Sequence, residues 1–291
     1  MRDRWFRLLP LLVLLAISLR SWADASDAGV EAWLQERLAG EPLSLPSDRV
    51  EDLSLERAYT LQAEVERRLI ADGDQAAGYK LALTSSGARQ RFGVEGAARG
   101  FLLASMAVPP GVEVTGVAGS RVFAEAEIAF VIGRRIDAPV SHPAALVERV
   151  SSVHPALELA TYRFAPGLKP RLVDIVADGA GAWRYALGPG RSPVGLDMAA
   201  CEAVLERDGV ELGRGLGSDS LGGPWRALLW AVNHLVANGR ALEAGDVVLS
   251  GALGPVQVLE LGGGPVALRT RIVGLGSVDL QLRGLRPSDP H

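Results

Sequence analysis

Residues Arg121 to Ile132 read Arg-Val-Phe-Ala-Glu-Ala-Glu-Ile-Ala-Phe-Val-Ile, with no Gly or Pro. Such a run predicts a β-strand. Side chains alternate along a strand, so Glu125 and Glu127 share one face and Ala124, Ala126, Ile128 and Phe130 the other. Carboxylates at i and i+2 lie roughly 7 Å apart at Cβ, near enough to converge on one ion. Two such groups beside an apolar run repel each other, and burial raises the cost of charging them. A hard divalent cation such as Mg²⁺ removes both penalties. The spacing alone fits a solvated strand edge at least as well, since Glu is mostly exposed.

A second candidate stands upstream. Of 30 basic residues only Lys80 and Lys169 are lysine, and Lys80 lies within the apolar segment Tyr79 to Leu83. An ammonium changes its pKa readily on burial, whereas a guanidinium stays charged. Lys80 therefore suits acid/base work or substrate binding. A snorkelling strand lysine is the alternative.

Other chemistries find less support. Cys201 is the sole cysteine, which excludes an internal disulfide and a cysteine metal cluster, and a buried apolar role is expected for it. His142, His154, His234 and His291 show no paired ligand spacing, and His154 reads as structural. There is no GxSxG elbow. Gly213-Arg214-Gly215-Leu216-Gly217 follows a hairpin signal and opens no helix, so it is not a dinucleotide loop.

The elements that must position these residues run as follows. Arg2, Arg4 and Arg7, then an apolar run from Leu8 to Leu19, then Ser21-Trp22-Ala23, predict a secretory signal peptide over residues 1–23 and a periplasmic protein. The apolar run is too short for a stable membrane span. Removing four arginines and one aspartate takes the formal charge from −4 to −7, which argues against a nucleic-acid partner. Residues 24–75 read as a helical segment, with Val30, Trp33, Leu34 and Leu38 at helical spacing and Ser54 capping a helix on Leu55, Ala58, Leu61, Val65 and Leu69. Residues 76–285 turn mostly to strands, and 286–291 form a tail. Helices are expected at Ser86–Phe92, from Pro143 to about Val150, and after Gly223, the last burying Trp225, Leu228, Leu229, Val232, Leu235 and Val236. Asp208-Gly209 marks a hairpin. At 48% hydrophobic residues, the chain can bury a sizeable core.

Several segments fall in a telling order. They are Gly78-Tyr79-Lys80-Leu81-Ala82-Leu83-Thr84-Ser85, the Glu125/Glu127 strand, Pro155-Ala156-Leu157-Glu158-Leu159, Asp174-Ile175-Val176-Ala177-Asp178 and Val248-Leu249-Ser250-Gly251-Ala252-Leu253. The set resembles the 2-keto-4-pentenoate hydratases, a branch of the fumarylacetoacetate hydrolase superfamily, from about Tyr59 to Leu282. The resemblance implies an α+β fold, with short N-terminal helices and a mixed, rolled β-sheet domain of the superfamily's C-terminal type. It implies that Glu125, Glu127 and Glu158 bind Mg²⁺ or Mn²⁺. It makes Lys80 catalytic, and brings Lys80, Ser105, Arg163, Ser250 and Gly251 to a small 2-oxo or 2-hydroxy acid. A homo-oligomer is expected. The implied reaction is hydration of a 2-hydroxydienoate. Decarboxylation, acylpyruvate hydrolysis on the same metal-enolate platform, or a degenerate binding protein are the alternatives. Ser105 stands where the family usually has Asp, Thr161-Tyr162-Arg163 where Asp-Ser-Arg is usual, and Gly179 and Gly181 where Asn and Ser are usual.

Overall fold

The structure is a computed structural model that describes residues 28–40, 42–109, 111–117, 121–262 and 264–285. The expected signal peptide and tail lie outside these residues. Among them no helix is long and apolar enough to cross a membrane.

Two sheets pack on each other. The larger runs β2 (Ala98–Leu103), β1 (Ala76–Ala82), β9 (Val247–Leu249), β4 (Arg121–Ile132), β5 (Val150–Thr161) and β6 (Ala182–Leu187), and β10 (Gln257–Glu260) pairs with the start of β4. The smaller runs β3 (Glu113–Val117), β12 (Gly276–Leu285), β11 (Pro265–Ile272), β7 (Glu202–Arg207) and β8 (Val210–Leu216). The β1–β9 and β3–β12 pairs are parallel and the others antiparallel, so both sheets are mixed. The glycine-rich run at 213–217 is mostly β8 itself.

The alternation along β4 decides the core. Ala124, Ala126, Ile128, Phe130 and Ile132 point between the sheets, against Leu205, Leu268, Leu280 and Leu282. Each fully buried large side chain contributes about 1.5–3 kcal/mol by leaving water. Helix α6 (Pro224–Ala237) closes this core with Ala227, Leu228, Ala231, Val232 and Leu235. Its buried stripe differs slightly from expectation. Ala227 and Ala231 are fully buried, and Trp225 is only partly so, its ring 5.1 Å from the Phe130 ring. The Pro143–Arg149 segment is a 3₁₀ helix rather than an α-helix, the tighter form common in short connections. Cys201 is only half-buried, with its thiol 3.4 Å from the Asp197 carbonyl.

The opposite face of the larger sheet is covered as well. Helices α1 (Ala28–Ala39) and α3 (Leu55–Ala71) set Val30, Trp33, Leu34, Ala58, Leu61 and Val65 in one cluster with Phe101, Leu102, Ala129 and Ala156. Ser54 caps α3 by accepting the Arg57 N–H. With both faces packed, β4 is an internal strand. The solvated strand edge does not apply to it.

Candidate active site

Register brings the acids together. Glu125 on β4 lies directly opposite Glu158 on β5, and Glu127 lies opposite Ala156. Like charges in directly opposed positions are destabilising unless something lies between them. Oxygens of Glu125, Glu127 and Glu158 fall within 4.8 Å of one another. Glu127 and Glu158 are 0% and 1% exposed. Glu125 is partly exposed, and it lines a cavity of about 450 Å³.

Lys80 reaches the same face from β1. Its Nζ sits 2.9 Å from Glu158 Oε1 and donates to the Ala180 carbonyl at 3.2 Å, with the side chain 2% exposed. Burial disfavours its charge, but Glu158, Glu125 and Glu127 outweigh burial and hold the ammonium above its ordinary range. Burial pushes the Glu125 carboxyl up to about 7; Lys80 opposes this and Glu158 adds to it. Burial, then Glu158 and Glu125, raise Glu127 well above the ordinary range. Three acids with one ammonium carry an excess of negative charge that burial resists.

The hydrogen-bond inventory tests whether these residues suit a cation. Glu127 Oε2 accepts the Gly251 N–H at 2.8 Å. Glu127 Oε1 and Glu158 Oε2 are buried with no hydrogen-bond partner, and Glu158 Oε1 has only its ion pair with Lys80. Buried polar atoms are normally satisfied. Orphaned carboxylate oxygens converging from two strands fit a hard divalent ion.

A turn after α5 (Leu172–Ala177) shapes the neighbouring wall. Asp178 ends this helix, and Ala180 beyond it holds φ +55°. Gly100 on β2, the register partner of Lys80, lets the turn lie on the sheet. A Cβ there would stand 2.0 Å from the Gly179 carbonyl oxygen. Asp178 is clamped by Arg37 Nε at 2.6 Å and Arg163 Nη1 at 2.9 Å. Burial and the nearby Arg163 pull the Arg37 guanidinium down to about 10, against the pull of Asp178. Asp174 is structural: its carboxylate accepts the N–H groups of Ser47 and Arg171.

The other expected substrate contacts are placed differently. Ser105 is exposed and bonded to Asp74, away from the cavity lining. It follows the end of β2, beyond the sheet face that carries Lys80. Arg163 points at Asp178 and the Ala182 carbonyl. Ser250 is wholly buried; its hydroxyl takes the Ile128 N–H and donates to the Gly251 carbonyl. Ser250 and Gly251 thus back Glu127 instead of lining the cavity. His154 is structural, with Nδ1 2.8 Å from the Gly188 carbonyl. Arg37 and the Ala180 carbonyl went unforeseen. Neither carries a local signal, since the first is one of many arginines in the chain and the second is a backbone group.

No protein-family model matches the chain. Individual relatives do. The TodF product hydratase of Pseudomonas putida is 36% identical over 230 residues, covering 78% of this chain and 84% of that protein. The 2-keto-4-pentenoate hydratase of Paraburkholderia xenovorans is 32% identical over 253 residues, covering 87% and 93%. The chain belongs to the 2-keto-4-pentenoate hydratase family. Among solved structures, the hydratase-family chain is similar to the 4-oxalocrotonate decarboxylase of Pseudomonas putida complexed with magnesium and adipate. The TM-score is 0.80 at 25% identity, over 90% of this chain and 98% of that one. The hydratase-family fold is therefore that of the fumarylacetoacetate hydrolase superfamily.

Proposed function

We propose that this hydratase-family enzyme adds water to a small 2-hydroxydienoate, with Glu125, Glu127 and Glu158 holding one Mg²⁺ or Mn²⁺. The convergence of three carboxylates and Lys80 at the cavity wall, with carboxylate oxygens left orphaned, carries this reading. When bound, the ion supplies a Lewis acid where enolate charge develops. Hydration requires a proton to leave the 2-hydroxyl, a proton to reach carbon, and water to add across the remaining double bond. With the three carboxylates engaged by the ion, Lys80 is the remaining group on this wall that would hold and pass a proton, fixed by Glu158 on one side and the Ala180 carbonyl on the other. Phe123 and Phe164 make part of the cavity wall apolar.

Turnover of 2-hydroxypenta-2,4-dienoate, followed by loss of its ultraviolet absorbance, tests the reading. Activity should vanish with EDTA and return with Mg²⁺ or Mn²⁺. Activity untouched by chelation, or release of CO₂ in place of hydration, would overturn it. Export to the periplasm and assembly into a homo-oligomer belong to the same proposal, on the strength of the leader pattern for the first. A mature chain beginning near Asp24 by mass spectrometry, and the mass in light scattering, test these two points.

A further inference from the structure

Glu127 is wholly buried, and a single peptide unit behind it fixes one of its oxygens. That unit joins Ser250 to Gly251, just past the end of β9. Its N–H belongs to Gly251 and donates to Glu127 Oε2 at 2.8 Å. Its carbonyl belongs to Ser250 and accepts the Ser220 hydroxyl at 2.5 Å. A trans peptide is planar, with C=O and N–H pointing opposite ways. Ser220 and Glu127 therefore grip the same plane from its two sides. Hydrogen bonds in such a chain polarise one another, so the hydroxyl strengthens the N–H bond to Glu127.

The plane needs that second grip. Ser250 donates its own N–H to the Ile128 carbonyl at 3.0 Å, and Leu253 donates to the Ala126 carbonyl at 2.8 Å. Both bonds tie the segment to β4, one on each side of the peptide in question. Gly251 holds φ +86°, and a Cβ there would stand 2.4 Å from Thr84 Oγ1. Only glycine fits, and glycine takes either sign of φ at little cost. The position thus requires the one residue type that lets its plane turn over. Turned over, the peptide would present a carbonyl oxygen to the Glu127 carboxylate.

Ser220 is itself 0% exposed and does not line the cavity. It follows the 3₁₀ turn Gly217–Asp219 and leads toward α6. The next residue, Leu221, holds φ +49°, and its N–H donates to the Thr84 carbonyl at 3.1 Å, beyond the end of β1. A non-glycine residue keeps such a backbone only where its surroundings over-determine it. With Oε2 satisfied by the peptide, Glu127 Oε1 is left open to an ion.

We propose that Ser220 is a positioning residue for the metal site: by holding the Ser250 carbonyl it locks the peptide whose N–H orients Glu127. The inference rests on Glu127 being a metal ligand, as proposed above. Ser220 acts through the peptide and takes no part in bond making.

Titration calorimetry of Ser220→Ala with MgCl₂ or MnCl₂ alone reads this without turnover. Loss of an outer partner of a ligand weakens metal binding 10–100-fold, so Kd should rise about 10-fold or more. Ile272→Val, a core deletion in the smaller sheet, should lower the thermal midpoint and leave Kd unmoved. The peptide itself is read by NMR in metal-free protein. Carbonyl-¹³C serine with ¹⁵N glycine selects Ser86–Gly87 and Ser250–Gly251, and Ser86→Ala assigns them. The Gly251 amide proton should move upfield in Ser220→Ala, once the polarising hydroxyl is gone. An unmoved amide, a Kd equal to that of the wild type, or an equal loss of affinity in Ile272→Val would overturn the proposal. A wild type that binds neither ion would overturn the metal reading and this role with it. Binding by the wild type with no change in Ser220→Ala would overturn this inference alone.

Discussion

Replacing Lys80 by Met should do three things at once, and they differ in sign. The Lys80 side chain is 2% exposed, with its Nζ 2.9 Å from Glu158 Oε1. Methionine keeps much of the volume and removes the charge, which leaves the buried Glu127 and Glu158 and the partly exposed Glu125 facing one another. Removing one partner of a buried ion pair costs about 3–5 kcal/mol. In a chain of this size 1 kcal/mol shifts Tm by about 2–4 °C, so the metal-free variant should unfold roughly 6–20 °C earlier. Metal affinity should move the other way. In the wild type an incoming cation meets the Lys80 charge and competes with it for Glu158. Two unit charges about 4 Å apart interact by about 4 kcal/mol at an effective dielectric of 20. Relieving even a third of that strengthens Mg²⁺ binding about 10-fold.

Turnover should nevertheless fall about 10²-fold or more if Lys80 passes protons. A rise in KM at nearly constant kcat would instead make Lys80 a substrate anchor. Scanning calorimetry with and without Mg²⁺, metal titration and the absorbance assay report the three effects separately. A variant that unfolds no earlier and binds Mg²⁺ no tighter would refute the pairing of Lys80 with Glu158. Unaltered kcat and KM would remove Lys80 from the chemistry.

The Glu125 carboxyl, raised from 4.5 to about 7, makes metal-free stability depend on pH. The folded state keeps a proton that the unfolded chain releases between those values, so stability should fall as pH rises through that window, by at most about 3 kcal/mol. Urea midpoints at pH 5 and pH 8 check this, and Mg²⁺ at pH 8 should reverse the loss. Gly100→Ala drives a Cβ to within 2.0 Å of the Gly179 oxygen. Shifting the turn should cost about 1–3 kcal/mol and pull the Ala180 carbonyl from Lys80, lowering kcat more than the thermal midpoint. Arg37→Ala leaves Asp178 with Arg163 alone, and thermal denaturation should show a loss of about 3 kcal/mol. Arg37→Lys should recover only part of it, since an ammonium lacks the guanidinium fork.

Strand alternation made Glu125 and Glu127 share a face, and the structure agrees, because a period of two survives any packing. What the pattern could not carry is the covering of that face. The helices over it are distant in sequence, and only the fold sets Trp33, Leu34 and Leu61 in one cluster with Ala129 and Ala156. The order of segments, matched to a known family, brought Glu158 to the pair, whereas spacing alone had no means of setting β5 against β4 in register. Ser105 and Arg163 fared worse. Their positions in the chain suggested the pocket, but where a loop side chain points is decided by its hydrogen-bond partners. Here these are Asp74 for one and Asp178 for the other. The clamp from Arg37 to Asp178 spans 141 residues of sequence, beyond the reach of any local pattern.

The cross-strand pair of Glu125 and Glu158 also bears on why the site is built into the middle of a sheet. On a loop, three acids would swing apart and each would take water. Backbone pairing on β4 and β5 fixes their Cα positions, and burial on both faces denies water to Glu127 and Glu158. Repulsion among them is then a cost of the folded state that the unfolded chain does not share. A cation that binds only the folded chain removes that cost, and its binding free energy adds to folding stability. Lys80 carries part of this charge balance in the cation's absence. That leaves it charged, dry and next to the carboxylates. The charge excess that costs this fold stability is therefore the same feature that suits the site to a divalent ion.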